Sequence, residues 1–208
     1  MIGGKGKKTI ITGEKNNLGG GIFIGDNNEL SKIENTMFSY LNGYNLELNS
    51  EFLILGSINF HQTRVEIAKV DFENIFSEDA INIFRSEFKI DNSNYLNISS
   101  DAIDIDFSKG EIKSVSFKNI ANDAMDFSGS NVNISDSYFE NVNDKLISGG
   151  EKSNIKISKV NAINSKSGII SKDGSKVYSN DISFKGVQIP FAAYQKKKEY
   201  NHGNLVAK

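Results

Sequence analysis

The chain has 208 residues, a formal net charge of -2 and no cysteine. That length fits one domain or one extended solenoid, and the near-neutral charge gives no basic field to draw nucleic acid or an anionic membrane. The missing thiols exclude disulfides and thiolate metal sites, and no apolar run reaches the length of a secretory signal or a membrane span, Phe52 to Leu55 being the longest later one.

The N-terminal region is the least regular. Gly20-Gly21-Ile22-Phe23-Ile24 reads as a strand, whereas LNGYNLELNS at 41–50 breaks the pattern and predicts an excursion near 40–50. From Ser57 onward the chain repeats. Short strand-like pieces recur as Ser57-Ile58-Asn59-Phe60, Ala80-Ile81-Asn82-Ile83, Ala102-Ile103-Asp104-Ile105, Ala124-Met125-Asp126-Phe127, Lys145-Leu146-Ile147-Ser148, Gly168-Ile169-Ile170-Ser171 and Pro190-Phe191-Ala192-Ala193. Their second residues stand at 58, 81, 103, 125, 146, 169 and 191, so the period is close to 22. Ile22 precedes Ile58 by 36 residues, which a coil plus an excursion fills.

Between these anchors lie further alternating pieces, such as Phe88-x-Ile90 before Tyr95 and Val132-x-Ile134 before Phe139. Alternation with period two marks a strand with one buried face. The prediction is therefore an all-β, right-handed parallel β-helix of about 22 residues and three short strands per coil. Successive coils pair about 4.8 Å apart, and Ile81, Ile103, Met125, Leu146, Ile169 and Phe191 are expected to stack inward as one column. A leucine-rich repeat of similar length needs a helical or irregular arc, and the β-rich pieces here leave no room for one. Asn74, Asn97, Asn119, Asn141 and Asn164 form a second register, read as sharp turns whose amides bond from coil to coil. One β-helix domain is expected over 1–194. A charged tail over 195–208, opening Gln195-Lys196-Lys197-Lys198-Glu199, would cover the last open strand edge.

The same alternation turns Asn82, Asp104 and Asp126 outward as one file, with Asp106 just beyond and Asp79, Asp101, Asp123 and Asp144 at the preceding turn. Unit charges about 5 Å apart repel by about 1 kcal/mol in water and more inside a protein. Relief can come from proton sharing, from turn N–H groups, from Lys145, Lys172 or Arg85, or from a hard cation such as Ca²⁺ on Asp104, Asp106 and Asp126. Lys145 stands where Ala80, Ala102 and Ala124 occupy the anchor piece. Two mechanisms are open. A Ca²⁺-assisted lyase or epimerase would use Lys145 or Lys172 as base; a glycoside hydrolase would use two of the aspartates Asp104, Asp106 and Asp126 as acid and base. Asp106, Arg85, Lys172 and Asn82 would contact the substrate. Phe23, Phe84, Tyr194 and Tyr200 are the aromatic candidates for a sugar platform, and His61 and His202 are expected at the surface.

The coils SEDAINIFRS, SSDAIDIDFSKG, NDAMDFSGSNVNI and NDKLISGGEKS resemble the right-handed parallel β-helix repeat superfamily, the pectate-lyase-like group, and in particular β-helix modules of exported bacterial proteins. The resemblance runs from about Gly20 to Tyr194. It implies an extracellular or cell-surface setting and a polysaccharide or surface glycan as partner, through lyase, hydrolase, epimerase or adhesin activity, although fold does not fix function. The Gly-His-Gly, Arg-x-Lys and Asp-Pro-His-Glu motifs of the enzyme families are missing, and the sole proline is Pro190. The functional expectation is a polysaccharide-binding or polysaccharide-processing module with no nucleic-acid partner. The alternative is a structural or adhesive spacer attached to other domains of a longer bacterial surface protein.

Overall fold

The structure, a computed structural model, describes residues 1–43, 46–48 and 52–208. Among them every regular element is a β-strand, and the chain winds as a parallel β-solenoid of about 22 residues per coil. Ile22–Gly25, Gly56–His61, Asp79–Phe84, Asp101–Asp106, Met125–Ser128, Lys145–Gly150, Ser167–Lys172 and Ile189–Tyr194 stack in chain order as an 8-stranded parallel sheet, here the anchor sheet. The rest of each coil crosses two further faces that together form a 12-stranded sheet.

Three corners per coil fold the strands into a prism, and residues in the left-handed region make them, singly at most corners and as the pairs Glu151-Lys152 and Asp173-Gly174 in two later coils. Gln62, Arg85 and Phe107 turn the first corner, Lys69, Asn92, Ser114, Asp136 and Lys159 the second, and Asn74, Asn97, Asn119, Asn141 and Asn164 the third, all with φ between 47° and 57°. Such φ values are uncommon for residues other than glycine, and asparagine tolerates them best. At the third corner the amides also join the coils. Nδ2 of Asn97 donates to Asn74 Oδ1 at 3.0 Å, Asn119 to Asn97 at 2.9 Å and Asn141 to Asn119 at 3.0 Å.

Sequence reading missed a serine ladder. Backbone N–H groups of Thr63, Ser86, Ser108, Ser130 and Ser153 each donate to the hydroxyl one coil further on, those of Ser86, Ser108, Ser130, Ser153 and Ser175, at 2.9–3.1 Å. The same spacing near 22 was present in the sequence, but isolated serines look like ordinary turn residues. Between the corners the strands enclose an apolar core. Phe38, Phe72, Tyr95, Phe117 and Phe139 stack with centroids 4.8–5.3 Å apart, a near-parallel column that adds to the burial of five rings.

The register corrects one column. Asp126 pairs with Ser148, and Ile147 pairs with Ile169. Ile147, not Leu146, therefore continues the file of Ile58, Ile81, Ile103 and Met125 toward Ile169 and Phe191, and from Ile81 the period is constant.

Near the N-terminus Ile22 pairs with Ile58, and Leu46–Leu48 and Phe52–Ile54 pair antiparallel outside the coils. Residues 44, 45 and 49–51 of the expected excursion lie outside the described residues. Within the segment read as a charged tail, Asn204–Ala207 pairs in parallel with Lys176–Ser179 and adds a rung to the broad sheet. No helix among the described residues is long and apolar enough to cross a membrane.

Candidate functional site

Two outward files run side by side along the anchor sheet. The first passes through Phe23, Asn59, Asn82, Asp104, Asp126 and Ser148, each paired with the next across adjacent strands. The second lies two residues further along each strand and passes through Gly25, His61, Phe84, Asp106, Ser128 and Gly150. Alternation puts both on the same face. Where they begin, Phe23, Ile54, Leu55, Asn59, His61, Asn82, Phe84, Arg85, Asp104 and Asp106 line a cleft of 380 Å³, within the range of about 300–1,000 Å³ usual for ligand sites.

The second file opens as an aromatic strip. His61 stacks on Phe84 with centroids 4.7 Å apart, Phe23 is tilted against His61 at 6.3 Å, and the Arg85 guanidinium lies 4.8 Å above the Phe84 ring. His61, expected at the surface, is buried in this wall with Nδ1 3.9 Å from Asp26. Burial lowers its pKa, partly offset by Asp26. The pattern was legible, because His61 and Phe84 follow Asn59 and Asn82 by two residues and so share their face. Of the other aromatic candidates, Tyr194 pairs with Lys172 at the far end of the second file, and Tyr200 lies under the Lys152 ammonium at 5.7 Å.

The first file carries the acids. Asn82 Nδ2 donates to Asp79 Oδ2 at 3.3 Å and to Asp104 Oδ2 at 3.1 Å, so a single amide bridges two carboxyl groups. The turn acids cap successive coils: Asp101 Oδ1 accepts from the Asp123 N–H at 2.8 Å, and Asp123 Oδ1 from the Lys145 N–H at 2.9 Å. Here the register corrects a second expectation. Asp79, Asp101, Lys145 and Ser167 occupy one file, with Asp123 between Asp101 and Lys145. Lys145 therefore succeeds aspartates rather than alanines, and Asp144 lies one residue outside the column.

Lys145 Nζ lies 3.2 Å from Asp123 Oδ1 and also bonds Asp144, which Lys166 contacts at 3.1 Å. Burial alone would lower the Lys145 pKa, but the Asp144 hydrogen bond and the Asp123 charge raise it above the ordinary lysine value. This holds Lys145 as an ammonium and leaves it unsuited to take a proton. Lys172 crosses Gly150 to bring Nζ within 3.5 Å of Asp126 Oδ1, which also accepts the Phe127 N–H at 3.0 Å.

Toward the cleft the carboxyl groups lack such partners. Among the described residues none of Asp79, Asp101, Asp104 and Asp106 forms an ion pair. Burial and then the Asp101 charge push Asp79 up to about 8. Burial, Asp79 and Asp106 raise Asp104 well above the carboxylate range. Burial lifts Asp101 to about 6 against the opposing Asp123 N–H, burial and Asp126 bring Asp106 to about 6, and the same two causes bring Asp123 to about 7. Desolvation and like charge act in one direction here, and this edge of the file favours a proton or an external cation. Among the described residues no three His, Asp or Glu side chains converge to hold a metal ion; Asp104 and Asp126 face each other on neighbouring strands, and Asp106 lies two residues along.

Fold and site together define a parallel β-solenoid with an acid-floored, ring-walled cleft on one sheet. No protein-family model matches the chain, and no curated protein matches it. Among solved structures it is similar to the catalytic domain of a GH87 alpha-1,3-glucanase in complex with nigerose, at 7% identity and a TM-score of 0.26, over 85% of this chain and 48% of that one. It is also similar to PfbA, a surface adhesin of Streptococcus pneumoniae, at 10% identity and a TM-score of 0.18, over 78% of this chain and 72% of that one. The chain spans about half the length of the glucanase domain.

Proposed function

We propose that the anchor face is a glycan-binding groove of an extracytoplasmic β-helix module. The observation that carries the reading is the adjacency of the two files, aromatic beside amide and carboxyl, on one straight face. Rings offer apolar surface to the C–H face of a sugar, while Asn82, Asp104 and Asp106 offer donors and acceptors to its hydroxyls. A face that repeats at each coil suits a polymer. The resemblance of the coil sequences to the pectate-lyase-like group supports the same direction.

A glycan array probed with the full chain tests this. Selective binding is expected, weakened about tenfold by Phe84→Ala, which removes the central ring. Failure to bind any glycan would leave the structural or adhesive spacer as the remaining reading.

One observation favours processing as well as binding. Asp104 is held toward its protonated form, whereas Asp126, on the neighbouring strand, accepts from Lys172 Nζ and from the Phe127 N–H. Two facing carboxyl groups, one raised by burial and like charge and the other bonded by an ammonium and an N–H, suit an acid and base pair for glycosidic bond hydrolysis. A bound glycan should then release reducing ends, and Asp104→Asn should abolish that release. The ion pairs of Lys145 with Asp123 and Asp144 favour this reading over one that uses Lys145 as the base of a lyase.

A further inference from the structure

We infer that the first corner of the prism carries a second site, which takes a phosphate monoester through the chain's two arginines. The site adjoins the cleft, shares Arg85 with it, and does not rest on the glycan reading.

Arg64 and Arg85 are the only arginines among 24 basic side chains, and both line one open cavity of 510 Å³. The winding brings them there. Arg85 is itself a corner residue, Arg64 opens the strand that follows the same corner one coil earlier, and Lys109 opens the equivalent strand one coil later. Across the register Arg64, Glu87 and Lys109 are successive neighbours. An ammonium acts as a point charge, whereas the planar guanidinium fork matches two oxygens of one oxyanion.

These charges stay unpaired, although others in the same cross-strand relation close. Lys89 reaches Glu111 at 2.8 Å and Lys118 reaches Glu140 at 3.0 Å. Glu87 stands between Arg64 and Lys109, yet among the described residues it forms no ion pair, and neither arginine has a carboxylate in salt-bridge range. Arg64 donates instead from Nη2 to the Asn28 carbonyl at 3.0 Å, and the Arg85 guanidinium lies 4.8 Å above the Phe84 ring. Each contact holds a guanidinium at the cavity and leaves most of its five donors unused.

Net charge selects the ligand. Arg64, Arg85 and Lys109 bring three positive charges to the lining and Glu87 one negative, a surplus of two. A phosphate monoester carries about −1.5 to −2 at neutral pH and matches that surplus, whereas a carboxylate or a sulfate ester carries a single charge.

Phe107 argues for an ester rather than the free ion. Its ring is 53% exposed, meets Phe84 edge-on at 5.8 Å and lies where a Cβ on Gly129 would come within 2.6 Å of it. Glycine at 129 leaves room for that ring. A bare ion gains nothing from such a wall, but the organic part of an ester gains apolar surface to rest on.

Calorimetry on the full chain at pH 7.5 tests the site with glucose 6-phosphate, inorganic phosphate, glucose 6-sulfate and glucuronate. Glucose 6-phosphate should bind with a Kd below about 1 mM, at least about fivefold more tightly than the other three, and more weakly as salt is raised. Arg64→Lys keeps the charge and loses the fork, so it should weaken binding about fivefold; Glu87→Gln removes the opposing charge and should tighten it about threefold. Both residues are exposed and lie outside the cleft lining, so the two readouts belong to this cavity and leave the core intact. Equal or tighter binding of the sulfate or of glucuronate would overturn the phosphoryl group, and equal binding of inorganic phosphate would overturn the ester. No binding by any probe, or binding that neither substitution changes, would overturn the site while leaving the glycan reading standing.

Discussion

Asp104 and Asp126 face each other across neighbouring strands of the anchor sheet, and only Asp126 has a lysine within reach. Asp104 has the Asn82 amide instead, shared with Asp79. That difference leaves one end of the file as a salt bridge and the other as carboxyl groups without an ammonium.

Asp104→Asn should therefore stabilise the protein at pH 8. The substitution removes a carboxyl group whose ionisation is opposed by burial, Asp79 and Asp106 and keeps an oxygen for the Asn82 N–H. Urea unfolding should show a gain of about 1 kcal/mol at pH 8 and little change at pH 5, where the native carboxyl is already protonated.

The wild-type protein should lose stability as pH rises. A carboxyl group whose native pKa lies above its ordinary value of 3.8 favours the fold while it holds its proton, and that contribution disappears as pH passes the raised value. Asp101 and Asp106 reach about 6, Asp123 about 7 and Asp79 about 8, so the window runs from the ordinary carboxylate range to about pH 8. His61, with a lowered pKa, opposes the trend as a single group. Melting followed by circular dichroism should give a higher Tm near pH 5 than near pH 8.

Lys145→Met should act in the opposite sense to Asp104→Asn. It leaves Asp123 and Asp144 without their shared ammonium, and breaking a partly buried pair from one side costs about 2–3 kcal/mol at pH 8. The loss should shrink at pH 5, because the orphaned Asp123 can take a proton there.

At the corners, Asn97 combines a left-handed backbone with two amide bonds, donating to Asn74 and accepting from Asn119. Asn97→Ala should cost about 1–2 kcal/mol, and Asn97→Gly should recover the backbone share while still losing the ladder. In the core, the Tyr95 hydroxyl is buried without a partner. Tyr95→Phe should keep the ring stack and raise stability by about 1 kcal/mol in chemical denaturation.

Much of this architecture was legible because a solenoid writes its geometry as a period. The isoleucine file and the asparagine corners recur at intervals that no local propensity explains. Leu146 and Ile147 show where periodicity stops being sufficient: both are apolar and fully buried, and only strand pairing decides which belongs to the file. That one-residue error moved Lys145 onto the alanines and hid its succession to the aspartates. The acids themselves were legible as outward residues. Their unequal pairing was not, because Lys172 reaches Asp126 from two coils away, a contact set by the path of a side chain across Gly150. The burial of His61 likewise depends on the rings of Phe23 and Phe84, supplied by other coils.

Residue-resolved NMR of the labelled chain, titrated with a bound oligosaccharide, tests the groove most directly. Shift changes are expected at Asn82, Phe84, Asp104 and Asp106, with the asparagine corner at Asn97, Asn119 and Asn141 left unchanged. Changes confined to that corner or to the broad sheet would place the sugar elsewhere and contradict the assignment of the anchor face.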